Sequence, residues 1–268
     1  MKVYVNEQPL KISQEETAFG IRGKVKQDAD VIVLNGFIIR ADQKLRENDE
    51  LIFIKKGEMP AKEDLEALLV ARHTPGVHKK VKNAKIGIAG LGGLGSNIAL
   101  SLARTGVGKL LLVDFDVVEP SNLNRQHYFV KHIGMYKTDA LRDILTQINP
   151  FVEVETKRVY LDENNMADTF KDVDIVVEAF DNPTCKAELV NTVLTKLPQK
   201  PIVAASGMAG YFSSNLIDTK KVRKNLYLVG DGVNEAKEGS GLMAPRVAVA
   251  ANHQANMVLR LILGEKEV

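Results

Sequence analysis

The sequence predicts an α/β protein in which a largely parallel sheet is covered by helices on both faces and preceded by a small β-rich module. Three observations carry this expectation. Across residues 81–268, short apolar runs alternate with stretches of helical periodicity. Before residue 57 the chain reads instead as short strands bounded by polar turns. Between the two, a helical stretch is stopped by Pro75-Gly76. The expected division is therefore 1–57, a β-grasp module; 58–80, a linker helix; and 81–268, a larger α/β domain.

Each element has its own warrant. Residues 2–12 read as two short strands around an Asn-containing turn, 17–26 as a weak helix, and 31–39 and 50–54 as further β-rich runs. Fewer than about 60 residues of this kind can close only one small core. In 61–72 the apolar positions Leu65, Leu68, Leu69 and Ala71 recur at helical spacing. Strands are then expected at 85–89, 109–114, 151–159, 173–180 and 201–205. Helices are expected from Leu94, over 136–148, within 163–170, over 184–197 and over 247–263.

Composition narrows the function classes. The 45% hydrophobic and 26% charged fractions are those of an ordinary globular protein. No apolar run approaches the roughly 20 residues that span a bilayer, and the N-terminus lacks a secretory apolar region, so a cytoplasmic location and no membrane partner are expected. A net charge of +2 gives no argument for a nucleic-acid partner. The single cysteine, Cys185, excludes an intramolecular disulfide and any zinc site built from paired CxxC motifs. The five histidines show no ligand spacing.

The most informative stretch is Gly90-Leu91-Gly92-Gly93-Leu94-Gly95-Ser96, entered from the apolar run Lys85-Ile86-Gly87-Ile88-Ala89. A Gly-rich turn between strand and helix lets backbone N–H groups approach phosphate oxygens, and the helix N-terminus adds a favourable dipole. An acid about 20 positions on suits a ribose hydroxyl, and Asp114 ends the next apolar run. The fold expected of 81–268 is thus Rossmann-like.

A second constellation follows in Asp114-Phe115-Asp116-Val117-Val118-Glu119-Pro120-Ser121-Asn122-Leu123-Asn124-Arg125-Gln126. A dehydrogenase needs one carboxylate for the ribose and then an open face for the nicotinamide. Here a second carboxylate (Asp116), an amide and a guanidinium follow at once. Arg125 can fork onto phosphate oxygens, and carboxylates can help hold Mg²⁺ beside them. Lys137 can supply a further cation. Asp181-Asn182 ends the 173–180 strand, at the carboxyl edge where open α/β sheets bind ligands.

On these residues, together with Ala71-Arg72-His73-Thr74-Pro75, the chain from Arg72 onward resembles the ThiF/MoeB branch of the ubiquitin-activating-enzyme superfamily. Within that branch it is most similar to the ThiF family 2 members. The N-terminal module, through Leu34-Asn35-Gly36 and Glu47-Asn48-Asp49-Glu50-Leu51, resembles the ubiquitin-like sulfur carriers of the ThiS type. The resemblance implies adenylation of the C-terminal glycine carboxylate of a carrier protein, with ATP and Mg²⁺, in thiamine biosynthesis. It implies that Gly90, Gly92, Gly93 and Gly95 shape the phosphate turn and that Asp114 holds the ribose. Asp116 stands with the nucleotide-binding residues, and Asn122, Arg125 and Lys137 would bind the triphosphate. Asp181 would hold Mg²⁺, and Arg72 falls near an arginine that reaches the ATP site of a neighbouring subunit. Arg125, Lys137 and Asp181 are then the catalytic candidates, and a homodimer is expected, with helix 247–263 compatible with either an interface or the core.

Three departures from those families matter. The chain has no ligands for the zinc many relatives hold on two CxxC pairs. It also has no cysteine anywhere in the crossover segment 207–246, which excludes thiol chemistry there. Cys185, expected at a helix start, is read as inert packing. The fused module, moreover, lacks a free carboxylate where a carrier would have one, because Lys55-Lys56-Gly57-Glu58 continues into the linker. The expected substrate is therefore a separate ThiS-like protein. Adenylation of another carboxylate, on a modified tRNA base or a peptide, a nicotinamide-dependent oxidoreductase, and a binding protein retaining only the fold are the alternatives.

Overall fold

The computed structural model describes residues 1–58, 61, 65 and 76–268. Arg72 and most of the 58–80 linker fall outside the described residues. The chain divides into two compact units, Met1–Pro75 and Gly76–Val268.

In the first unit, β1 (Lys2–Val5), β2 (Gln8–Lys11), α1 (Ala18–Val25), β3 (Val31–Leu34), β4 (Phe37–Ile39) and β5 (Glu50–Ile54) form a five-stranded sheet in the order β2-β1-β5-β3-β4. The pairs β1/β2, β3/β4 and β3/β5 are antiparallel, and β1 runs parallel to β5. Both hairpins turn through two residues of positive φ, Asn6-Glu7 and Asn35-Gly36, the backbone that matches the strands' right-handed twist. Alternation sends Val3, Val5, Ile32, Leu34, Leu51 and Phe53 inward onto Ala18 and Ile21 of α1. The Thr17 hydroxyl caps α1 by accepting from the Gly20 N–H at 3.1 Å.

The second unit begins with α2 (Val77–Val81) and continues β6 (Lys85–Ala89), α3 (Gly93–Arg104), β7 (Lys109–Val113), α4 (Lys137–Ile148), β8 (Glu153–Lys157), α5 (Met166–Phe170), β9 (Ile175–Glu178), α6 (Pro183–Lys196), β10 (Ile202–Ala205), β11 (Asp218–Arg223), β12 (Leu226–Gly230) and α7 (Ala244–Leu263). Its seven-stranded sheet runs β11-β12-β10-β9-β6-β7-β8. All neighbours are parallel except β11, which is antiparallel to β12. Strand order reverses between β6 and β9, so a crevice opens at their carboxyl ends.

The central strands are apolar throughout because both faces are covered. One face packs on α3, α4 and α7 through residues such as Ile86, Ile98, Leu141 and Val258. The other packs on α5 and α6 through Val176, Phe170, Leu189 and Val193. Helix α7 places Val247, Ala250, Ala251 and Val258 in that core, against α3. Of the two readings of this helix, its apolar stripe therefore serves core packing.

The β11/β12 hairpin is the element with no counterpart in the sequence reading. Its outer strand, Asp218-Thr219-Lys220-Lys221-Val222-Arg223, is a charged edge strand and carries almost no apolar signal.

Candidate functional site

Two glycines build the turn between β6 and α3. Gly90 has φ +89°, and a Cβ on it would meet the Ala179 carbonyl oxygen at 2.8 Å. A Cβ on Gly95 would lie 1.9 Å from the Gly90 carbonyl oxygen. Gly95 thus lets the first turn of α3 close onto the loop rather than lining the cleft. Gly90, Gly92 and Gly93 do line it, in a cavity of about 520 Å³ at the carboxyl ends of β6, β7 and β9.

Asp114 follows β7 and also lines this cavity. Its Oδ2 accepts from the Leu91 N–H at 2.7 Å and its Oδ1 from the Asp116 N–H at 2.8 Å. The carboxylate therefore clamps the Gly-rich turn while keeping a lone pair on each oxygen for a hydroxyl donor. Burial pushes its pKa up, against the opposing pull of Lys137 and the two N–H donors.

Asp116, Arg125, Lys137 and Asp181 reach the same cavity. Lys137, buried at the start of α4, sends Nζ to Asp116 Oδ2 at 2.8 Å. Arg125 Nη1 donates to the Ser121 carbonyl at 3.2 Å and to Asn124 Oδ1 at 2.8 Å. Neutral acceptors thus hold the guanidinium in place, and no carboxylate among the described residues cancels its charge. Asp181 is exposed beyond β9 and makes no hydrogen bond or ion pair to the described residues. Hard, oxygen-only carboxylates of this kind suit Mg²⁺, which takes one or two of them alongside phosphate oxygens.

Asn122 is absent from the cavity wall, whereas Asn182 lines it with its side-chain oxygen engaged in a helix cap. Asn122 is buried, and its Oδ1 accepts from the Glu119 N–H at 3.1 Å, closing the short turn Pro120–Asn124 that carries Arg125. Its amide shapes the loop. Asn182 Oδ1 likewise caps α6 by accepting from the Thr184 and Cys185 N–H groups at 2.8 and 3.2 Å.

Cys185 requires a correction: it is half-buried in the cavity wall, with Sγ 3.6 Å from the Tyr160 hydroxyl, and is not a core packing residue. The cap at Asn182 turns the first residues of α6 toward the cleft, a direction that spacing alone does not give.

Several residues in the wall or behind it had no sequence signal of their own. Glu178, fully buried at the end of β9, binds Lys186 Nζ through both oxygens at 2.9 Å and accepts from the Phe180 N–H at 2.7 Å. The Tyr128 hydroxyl donates to the Leu91 carbonyl at 2.8 Å, and burial pushes its pKa well up. Phe115 and Tyr160 meet edge to face, 5.1 Å between centroids, as an aromatic part of the wall. On the far side, Asp231 and Arg246 pair through side chains that are almost wholly buried and hold two loops. Arg246 Nη1 donates to the Phe212 and Ser213 carbonyls at 2.8 and 3.1 Å. Asp231 Oδ1 accepts from the Val233 and Asn234 N–H groups at 2.9 and 2.8 Å. Only i, i+8 spacing on a strand-to-helix connection hinted at the Glu178/Lys186 pair; the others join segments far apart in sequence.

A doubly wound sheet with this cleft at its switch point places the larger unit among Rossmann-like α/β proteins. The comparison with known families is more specific: residues 66–268 match the model of the ThiF family, and residues 1–57 that of the ThiS-like ubiquitin domain. The chain belongs to the ThiF family and carries a ThiS-like ubiquitin region at its N-terminus.

It is similar to the adenylyltransferase and sulfurtransferase UBA4 of Saccharomyces cerevisiae, 32% identical over 205 residues, which are 73% of this chain and 46% of that one. The UBA4 of Kluyveromyces lactis is 39% identical over 131 residues, 48% of this chain and 29% of the relative. The chain thus spans less than half the length of the curated relatives it matches. Among solved structures, the Escherichia coli tRNA N6-threonylcarbamoyladenosine dehydratase TcdA in complex with ATP shares the fold. It has TM-score 0.67 and 22% identity, covering 74% of this chain and 93% of that one. E. coli MccB with AMPCPP and MccA gives TM-score 0.56 at 27% identity over 71% and 59% of the two chains.

Proposed function

We propose that this chain uses ATP to adenylate the C-terminal carboxylate of a separate ThiS-like sulfur-carrier protein. One observation carries the reading: the Gly-rich turn, Asp114, a buried lysine, and a guanidinium and an aspartate that have no charged partner among the described residues converge on one cleft at the switch point. The adenylyltransferase named among the relatives, and the ATP and AMPCPP bound in the structural neighbours, favour it.

The chemistry follows from charge. A carboxylate oxygen attacks the α-phosphorus, the bond to the bridging oxygen breaks, and pyrophosphate leaves. Two anions must approach, so cations at the phosphates lower the barrier by stabilising charge in the transition state. The N–H groups of the Gly90–Gly93 turn donate to the phosphate oxygens, Asp114 accepts from a ribose hydroxyl, and Arg125 and Lys137 face the triphosphate. Asp181 would hold Mg²⁺, which supplies further neutralisation of the phosphate charge when bound. No protein nucleophile is needed.

Three finer readings belong to the same proposal. The chain acts as a homodimer, the carrier functions in thiamine biosynthesis as the ThiS resemblance implies, and the fused N-terminal unit is structural or regulatory rather than the substrate. A natural chain break after Gly57, detected by mass spectrometry, would overturn the last of these.

The test is ATP–pyrophosphate exchange. Exchange that requires an added Gly-Gly-tailed carrier is expected. Exchange driven instead by a peptide or a modified tRNA would favour the second reading, whose tRNA form the neighbour TcdA suggests. Tight NAD binding without ATP binding would defeat both.

A further inference from the structure

We infer that the N-terminal unit carries a docking groove for an extended acidic segment of a partner polypeptide, which adds as a strand along the open edge of β4. The inference does not depend on the ATP-site reading.

The edge is open because β4 ends the sheet order. The two-residue loop Asn35-Gly36 sets the register Leu34↔Phe37, Val33↔Ile38 and Ile32↔Ile39. Bonded pairs alternate in an antiparallel ladder, so Leu34/Phe37 and Ile32/Ile39 exchange hydrogen bonds with each other. The N–H and C=O of Ile38 then face outward, as the backbone of Arg40 would in the same register. Outward groups two residues apart are what an added strand pairs with.

Beside this edge lies a groove between α1, β3 and β4, with a floor of Phe19, Ile32 and Ile39. Phe37 and Ile38 remain 77% and 68% exposed, an unusual amount of apolar surface for an unpaired edge.

Charge selects the occupant. Arg22, Arg40 and Lys56 line the groove, and none has a carboxylate partner among the described residues. Arg22 lies over the Phe19 ring, 5.3 Å from guanidinium carbon to centroid, and its Nε is buried without a hydrogen-bond partner. The one acid on the lining, Asp30, already accepts from the Lys56 N–H at 2.8 Å. The excess positive charge repels a second copy of the same edge, which carries the same cations. It attracts a strand that alternates apolar and acidic side chains, apolar toward the floor and acidic toward the three cations.

The experiment titrates the full ¹⁵N-labelled chain with a panel of acidic heptapeptides, such as Val-Asp-Ile-Asp-Val-Glu-Ile, and with counterparts in which lysine replaces each acid. Saturable shifts centred on the Ile38 and Arg40 amides, weakened by salt, are expected from the acidic peptides alone. The double variant Arg40→Glu/Lys56→Glu, which changes exposed side chains only, should weaken binding by about tenfold or more. Equal binding of the lysine peptides, shifts centred away from β4, or no saturable response to any acidic peptide would each overturn the inference. So would shifts that depend on protein concentration alone, which would make a second copy the occupant.

Discussion

Lys137 Nζ lies 2.8 Å from Asp116 Oδ2, joining a lysine that is almost wholly buried to an aspartate that is half exposed. The pair neutralises a buried ammonium in the cleft where, in the proposed function, a triphosphate binds. An incoming phosphate must therefore share or displace Asp116.

The substitution Asp116→Asn removes that counter-charge and leaves the buried lysine with only the more distant Asp114 carboxylate. Since Asp116 is partly solvated, the cost should be about 1–3 kcal/mol, below that of breaking a fully buried pair. ATP then replaces Asp116 as the direct anionic partner of the ammonium. Thermal denaturation should give a lower Tm than wild type without nucleotide and a larger Tm gain on adding ATP. An unchanged ATP-induced gain would show that Lys137 does not face the phosphates.

Asp181 and Arg125 should separate chemistry from binding. Asp181→Ala leaves the Gly-rich turn and Asp114 to hold the nucleoside, so ATP affinity should fall little. Exchange should fall by a factor on the order of 10² or more, as expected when a group aimed at developing charge is lost. Arg125→Ala should weaken both, because its guanidinium has no internal counter-ion and meets phosphate charge in the ground state as well. Calorimetry for affinity and exchange for rate distinguish the two outcomes.

Cys185 lines the cleft but has no role in the proposed chemistry. Cys185→Ser should keep ATP affinity and exchange within about threefold of wild type. Loss of exchange in this variant, with retention in Asp181→Ala, would require a thiol-dependent mechanism.

The buried pair Asp231 and Arg246 predicts a pH dependence of stability. Burial acts to raise the Asp231 pKa, but hydrogen bonds from the Asn234 side chain and the Asn234 and Val233 N–H groups, with the Arg246 charge, outweigh it and hold the pKa below the usual value. A folded pKa below the unfolded one means that the stabilisation is fully present above the unfolded carboxylate value of about 3.9 and is lost as pH falls through the folded value. Asp231→Asn should therefore cost about 3–5 kcal/mol at pH 7, and the gap from wild type should shrink as pH drops below about 4. Urea denaturation at both pH values measures it, and an equal gap at both would contradict the assignment.

How much was legible in advance depended on how local each signal is. The hairpin over residues 2–12, the β6-turn-α3 unit and most of the apolar inner strands are each encoded within a dozen or so residues, through positive-φ turn residues, glycine and unbroken apolar runs. The edge strand β11 was not, because a solvated edge strand is built from the same lysines and threonines as a loop, and the apolar run of β12 beside it was passed over in the sequence reading. Among the site residues, Asn122 illustrates the limit: its spacing beside Arg125 suits a ligand contact, yet its amide closes the turn that carries the arginine. Sequence spacing brings a side chain near a site but does not fix which way it points.

The sequence by itself determined the α/β class, the N-terminal β-grasp unit, the phosphate-type turn and the identity of most polar groups that meet at it, because propensity, periodicity and motif chemistry act over short stretches of chain. The tertiary structure decided which of those groups share one cleft. It set Glu178 against Lys186 and Asp231 against Arg246 beneath the wall, spared Arg125 a carboxylate partner, and turned Cys185 toward the cavity. These depend on packing between separate elements of the fold, where burial makes an unpaired charge costly and so selects partners that local periodicity does not record.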